Sequence, residues 1–226
     1  MRRTKREALD TRAKIVDAAA NVFLACGFAG ASLESIAGKA GVTRGAVYNH
    51  FRNKAAVLDA LFESADLPLD PFIVQPPAEE PDPLGQLHTQ LSSRLRVALH
   101  TRDARRLYTI ALTRCEVTVQ TRIFHDRVTS AALRAELQIE STLRAASRLS
   151  QLPPDVDTRA AAVFIHAALS GFLRKRLSIS GRPAASRDDT EAKQTLATAF
   201  HCIGAGPLCP APRDAHPGRS ASPVTL

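Results

Sequence analysis

Thr43, Arg44, Tyr48, Asn49 and His50 put five hydrogen-bonding side chains into eight consecutive positions of "GVTRGAVYNHF", residues 41–51. A guanidinium can pair bidentately with O6 and N7 of guanine. A phenol, an imidazole and a following Lys54 can hold phosphates. Thr43 and the free backbone N–H groups of Arg44 and Gly45 suit a phosphate or a base acceptor at a helix start. Gly45 lets the backbone come close. These groups suit reading a duplex better than making or breaking bonds. The chain has no G-x-S-x-G elbow, Gly-rich phosphate loop or H-E-x-x-H helix, and its histidines lack an obvious nucleophile partner, so an enzyme is not expected.

Such side chains need a short helix on a firm scaffold. Val42, Val47 and Phe51 supply the inward face. Upstream, Ile15, Ala19, Val22, Phe23 and Cys26 fall at i, i+4, i+7, i+8 and i+11, one face of a helix ended by Gly27. Ser32 caps a second helix, Leu33 to Ala40, and Gly41 supplies a sharp turn. Thr43 caps a third helix running to about Phe51. Two helices joined by a short glycine turn are a helix-turn-helix.

Asn53 caps a fourth helix to about Ala65, and six prolines between Pro68 and Pro83 make residues 67–83 a loop or hinge. Helical patterns resume at 84–100, 102–115, 119–149, 158–179 and 188–203, with no convincing strand alternation. The fold class is therefore all-α, an N-terminal three-helix helix-turn-helix head with a larger C-terminal helical body. Five prolines after Gly204 predict a disordered tail over residues 206–226.

The 226 residues carry 30 basic and 22 acidic side chains, net +8. Ten basic against five acidic residues in 1–60 place +5 of that charge in the head. Charge alone favours nucleic acid or an anionic membrane without choosing between them. The apolar run 160–173 is too short to cross a bilayer, and no apolar segment of a secretory signal follows the basic N-terminus, so a cytoplasmic protein without a membrane partner is expected. Cys26, Cys115, Cys202 and Cys209 lack metal-like spacing, which predicts reduced thiols, no metal and no cofactor.

The stretch from Thr11 to Leu61, above all "GVTRGAVYNHFRNK", resembles the DNA-binding head of the TetR family of bacterial repressors. "DPLGQL" (82–87), "RRLYTIALTRCE" (105–116) and "AAAVFIHAALSGFL" (160–173) are similar to segments of the subgroup that represses multidrug efflux pumps. The likeness covers about residues 1–180. It implies a DNA-binding domain at 1–53 and a ligand-binding and dimerisation domain at 54–205. It further implies a homodimer joined by the last two body helices, a palindromic double-stranded operator, and release by a small hydrophobic or aromatic effector.

The implied DNA contacts are Ser32, Thr43, Arg44, Gly45, Ala46, Tyr48, Asn49, His50 and Lys54. The implied effector pocket is Leu91, Arg94, Tyr108, Leu112, Ala132, Ala135, Ile139, His166, Leu169 and Ser170. Apolar walls with a few polar groups serve a ligand site and a helical core equally, and His166 reads as a bonded core residue or a polar anchor. Gln90 and Arg94 stand where related pockets are more apolar, and Arg94 would favour acidic or phenolic compounds. Arg176 and Asn49 each replace a frequent aromatic. The rival reading is a DNA-binding protein of this shape without an inducer, acting through a partner or through cysteine redox state.

Overall fold

The computed structural model describes residues 5–65, 67–75, 81–179 and 186–205. Nine helices fall among them: α1 Lys5–Gly30, α2 Leu33–Ala40, α3 Arg44–Tyr48, α4 Lys54–Glu63, α5 Pro83–His100, α6 Arg102–Thr113, α7 Arg122–Arg148, α8 Thr158–Ser178 and α9 Ser186–Cys202. No strand occurs among the described residues. The predicted tail, 206–226, lies outside them, as do residues 1–4 of the basic arm.

Local chemistry sets the helix ends. Gly27 at φ 72° breaks α1 where the sequence predicts, and the Phe28 N–H donates across to the Arg114 carbonyl at 2.7 Å. Ser32, Thr43, Asn53, Asp82 and Asp157 each accept from a backbone N–H in the first turn of α2, α3, α4, α5 and α8, satisfying donors that no carbonyl within the helix reaches. Pro83 opens α5, where its missing N–H costs nothing. α1 is long and apolar enough over Arg6–Gly30 to cross a membrane by length and composition. Its apolar side is consumed by the head, however, with Ile15, Val16, Ala19, Ala20 and Phe23 buried.

Two buried clusters organise the chain. The head cluster joins α1, α2, Val47 and Phe51 to Val57, Leu58 and Leu61 of α4, and it runs on into Leu107, Ile110 and Ala111 of α6. The body cluster joins α5, α7, α8 and α9 around Ala104 and Tyr108, again from α6. α6 thus turns residues 107, 110 and 111 to the head and 104 and 108 to the body, as a 3.6-residue period allows. It is the wall the two clusters share.

α8 buries Ala161, Ile165, Leu169, Leu173 and Leu177 at successive i+4 positions. Arg176, half-buried beside that row, pairs with Glu191 of α9 at 3.2 Å. An ion pair between the last two helices therefore stands at this position.

Candidate nucleic-acid interface and effector core

The turn between α2 and α3 is made by Gly41, whose φ of 66° lies in the left-handed region that glycine enters without strain. Its N–H and that of Val42 donate to the carbonyls closing α2. Ser32 and Ser35 cap α2 reciprocally at 3.0 Å. α3 is only five residues long, shorter than the helix predicted to Phe51. Asn49 and His50 follow as a tight turn, closed by the Phe51 N–H on the Val47 carbonyl at 2.9 Å. Burial of Val47 and Phe51 pins the segment from below.

Above that floor the polar groups are free or loosely held. Thr43, Arg44, Gly45, Tyr48 and Asn49 are exposed, and Ala46 and His50 are half-buried. The Thr43 hydroxyl accepts from the Ala46 N–H, while Arg44 is latched to Glu34 at 2.9 Å and donates from its guanidinium to the Tyr48 hydroxyl at 3.3 Å. The hydrogen bond to Tyr48, and then the charge of Glu34, raise the Arg44 pKa still further. Both partners of the Arg44–Glu34 pair are largely solvated, so screening makes the latch weak and easily opened. A Cβ added at Gly45 would meet nothing within 4 Å, so the protein's own packing does not require glycine there.

Lys54 departs from its predicted role at a phosphate. Its ammonium donates to the carbonyls of Phe28, Ala29 and Ala31 at 2.7, 3.2 and 3.1 Å and lies 4.5 Å from the Phe28 ring centroid. An ammonium has three protons, and all three are used here. Lys54 is the clamp on the end of α1, and its three protons are engaged there rather than offered to a phosphate. Across the head, the Arg12 guanidinium covers the Phe51 ring at 5.1 Å.

In the body, Leu91, Tyr108, Ile139 and Leu169 meet in one buried cluster, with His166 at its polar margin. Leu112 is half-buried and touches both clusters. Arg94, Ala132 and Ser170 are half-buried, and Ala135 is buried; Ala132 and Ala135 belong to neither cluster.

The sequence reading missed what fills the middle of this core. The segment after α4 enters it: Phe72 and Val74 are buried in the cluster, and the Phe72 ring meets His166 edge-on with centroids 6.0 Å apart. Asp70, 6% exposed, accepts from the Phe72 N–H at 2.8 Å and faces His166 Nε2 at 2.9 Å. Tyr108 donates its hydroxyl to the Pro68 carbonyl at 2.9 Å. Behind His166 stands Glu136 at 3.7 Å, itself bonded to Arg159 at 2.9 Å.

Burial opposes a charge on His166. The hydrogen bond and charge of Asp70, with Glu136 behind, outweigh it and raise the imidazole pKa. Burial first, then Asp70, push the Tyr108 phenol upward against the pull of Arg94. The Cys115 thiol is pushed up to about 12, mainly by burial and then by Glu116, which leaves it a neutral packing group at ordinary pH. No group of three or more His, Cys, Asp or Glu able to hold a metal occurs among the described residues.

Residues 15–61 match the family model for bacterial regulatory proteins of the tetR family, and residues 82–182 match that for the MAATS-type transcriptional repressor C-terminal region. The chain is 37% identical over 178 residues, 78% of its length and 85% of the relative's, to the HTH-type transcriptional regulator TtgR of Pseudomonas putida. It shares its fold at a TM-score of 0.74 and 30% identity with NalD, described as the secondary repressor of the MexAB-OprM multidrug efflux pump in Pseudomonas aeruginosa, covering 88% of this chain and 98% of that one. A complex of SmeT from Stenotrophomonas maltophilia with triclosan follows at a TM-score of 0.67 and 26% identity, over 93% and 100%.

Proposed function

The chain belongs to the TetR family of bacterial transcriptional regulators, and from that premise we propose that it represses a multidrug efflux operon as a homodimer released by a hydrophobic aromatic effector. The observation that carries the reading is the division of α3. Val47 and Phe51 are buried, while Thr43, Arg44, Tyr48 and Asn49 are exposed and His50 is half-buried, and residues 82–182 of the body match a repressor C-terminal family model.

On the operator, Arg44 leaves Glu34 for guanine O6 and N7, and Tyr48 and His50 take phosphates. Thr43, Gly45 and Ala46 form the helix start that approaches the backbone, with Ser32 at the start of α2. Asn49 is the position where this chain's contacts differ from those of relatives with an aromatic. The protomers join through α8 and α9, where Val163 and Phe164 are exposed and an open cleft of about 370 Å³ includes Phe164, Phe172 and Thr198. Two heads then sit one helical turn of DNA apart, about 34–36 Å.

The effector competes with the protein's own loop. Phe72 shares the buried cluster of Leu91 and Tyr108 and meets His166 edge-on, and Asp70 pairs with His166, so both stand where an aromatic ligand with a polar group would bind. Displacing them draws on the segment that follows α4, and taking Tyr108 shifts α6, whose opposite face packs on the head. Release needs only that the effector bind the DNA-incompetent arrangement more tightly; a swing from 1:99 to 99:1 requires about 10⁴-fold preference.

The test is fluorescence anisotropy of the full chain on the intergenic DNA beside its gene. Specific binding that weakens steeply with salt and is reversed by triclosan supports the reading. A flat salt response removes the DNA function, and binding untouched by triclosan and a wide screen of aromatic antimicrobials favours a regulator without an inducer.

A further inference from the structure

A second hollow lies away from the body core. A cleft of about 660 Å³ opens between α1, α4 and α6, with Leu9, Arg12, Val16 and Leu61 on the head side and Arg106 and Leu107 on the body side. Its volume is within the range of about 300–1,000 Å³ that small-molecule sites occupy. Leu107 faces it from α6, whereas Tyr108, the next residue, belongs to the body cluster.

The cleft lining carries two guanidinium groups, Arg12 and Arg106, and two carboxylates, Asp17 and Asp103, but they are unevenly paired. Arg106 donates to the Asp17 carboxylate at 2.7 Å and to the Asp17 carbonyl, which uses Asp17, but its Nε is buried with no acceptor. The Arg12 guanidinium stacks on Phe51, and no described carboxylate lies within ion-pair distance of it. The remaining acid at the rim, Asp103, is in the first turn of α6, where the helix dipole already favours its charge. Arg12 therefore borders the cleft without a carboxylate partner among the described residues, and the walls beside it are apolar. A matching ligand brings an apolar body and an acceptor of negative charge.

We propose that this cleft is a second small-molecule site, one that takes amphipathic acids: compounds with an aromatic or alicyclic body and a carboxylate, sulfonate or phenolate. The acid pairs with Arg12, and the apolar body wedges against Leu61 and Leu107. A bound compound then ties α1 and α4 of the head to α6. Because Arg12 also rests on Phe51, the residue that anchors the end of the recognition segment, occupancy is felt at α3 without any ligand entering the body. The site stands on its own geometry and does not depend on the body core being an effector pocket.

The experiment titrates 1-anilinonaphthalene-8-sulfonate into the full chain and into three variants, reading fluorescence and operator affinity together. Ala13 is exposed on the cleft wall, so Ala13→Phe fills the space without disturbing the core. Arg12→Gln removes the anion's partner, Arg12→Lys restores the charge, and thermal melts verify that each variant is folded. The expected result is a probe affinity weakened at least about tenfold in Ala13→Phe and Arg12→Gln, partly recovered in Arg12→Lys, with the probe's effect on operator affinity lost in step. Probe affinity in Ala13→Phe equal to that of the unsubstituted chain overturns the proposal. Loss confined to a parallel Tyr108→Phe control assigns the probe to the body and overturns it equally.

Discussion

Replacing Asp70 by alanine tests how tightly the loop after α4 is held in the body. Both carboxylate oxygens are engaged, one with His166 at 2.9 Å and one with the Phe72 N–H at 2.8 Å, and both side chains of the ion pair are buried. A hydrogen bond involving a charged group is worth about 1.5–3 kcal/mol, and a buried donor left without an acceptor costs about 1–3 kcal/mol. His166 avoids the full penalty of an unpaired buried charge by giving up its proton, so the expected loss is about 3–4 kcal/mol. For a chain of this size each kcal/mol moves the melting temperature by about 2–4 °C. The pH dependence has a definite sign. His166 has a raised native pKa, so its favourable pairing is complete below the ordinary histidine value of about 6.5 and disappears as pH climbs through the raised one. A double-mutant cycle of Asp70→Ala with His166→Gln, by urea unfolding at fixed protein concentration, should give a coupling of at least about 1.5 kcal/mol at pH 6 and less at pH 9. Coupling near zero at pH 6, or growing toward alkaline pH, would refute the buried pair. The same alanine variant should bind aromatic effectors more tightly, because the loop competes less well.

Arg44→Ala should weaken specific operator binding about 10- to 100-fold, the scale of one bidentate base contact, while sedimentation shows the dimer intact. Lys54→Met should lower the melting temperature and operator affinity but leave the salt slope unchanged, whereas loss of a phosphate contact would flatten that slope by about one. Gly45→Ala should leave the melting temperature the same or higher yet reduce operator affinity, separating the needs of the fold from those of DNA approach. Cys115 should resist iodoacetamide at pH 7.5 in the native chain, and peroxide should not alter operator binding through it.

The sequence made the head legible because each helix there ends on its own chemistry: Gly27, the Ser32 and Thr43 caps, the left-handed Gly41. The inward set Val47 and Phe51 was equally visible, since a helical period separates it from the polar face. Lys54 was not, because a cation after a recognition helix looks alike whether it meets a phosphate or three carbonyls; only the position of the α1 end, some 25 residues earlier, decides. The loop residues Asp70 and Phe72 were hidden by their prolines, which correctly forbid a helix but say nothing about burial. A usable signal was present in "LPLDPFIV" (67–74), whose five apolar residues in eight are too many for a solvated loop. The double role of α6 was also out of reach, since residues 104 and 108 and residues 107, 110 and 111 become two faces only when two cores exist to receive them.

On the proposed function, an aromatic compound and the operator compete through one folded dimer. Anisotropy of labelled intergenic DNA with the full chain, titrated with aromatic antimicrobials while sedimentation follows the protein, tests it most directly. DNA is expected to be released as compound binds, with the protein remaining dimeric and folded. Compound binding that leaves the DNA complex at full affinity, or release only by dissociation or unfolding of the dimer, would contradict it.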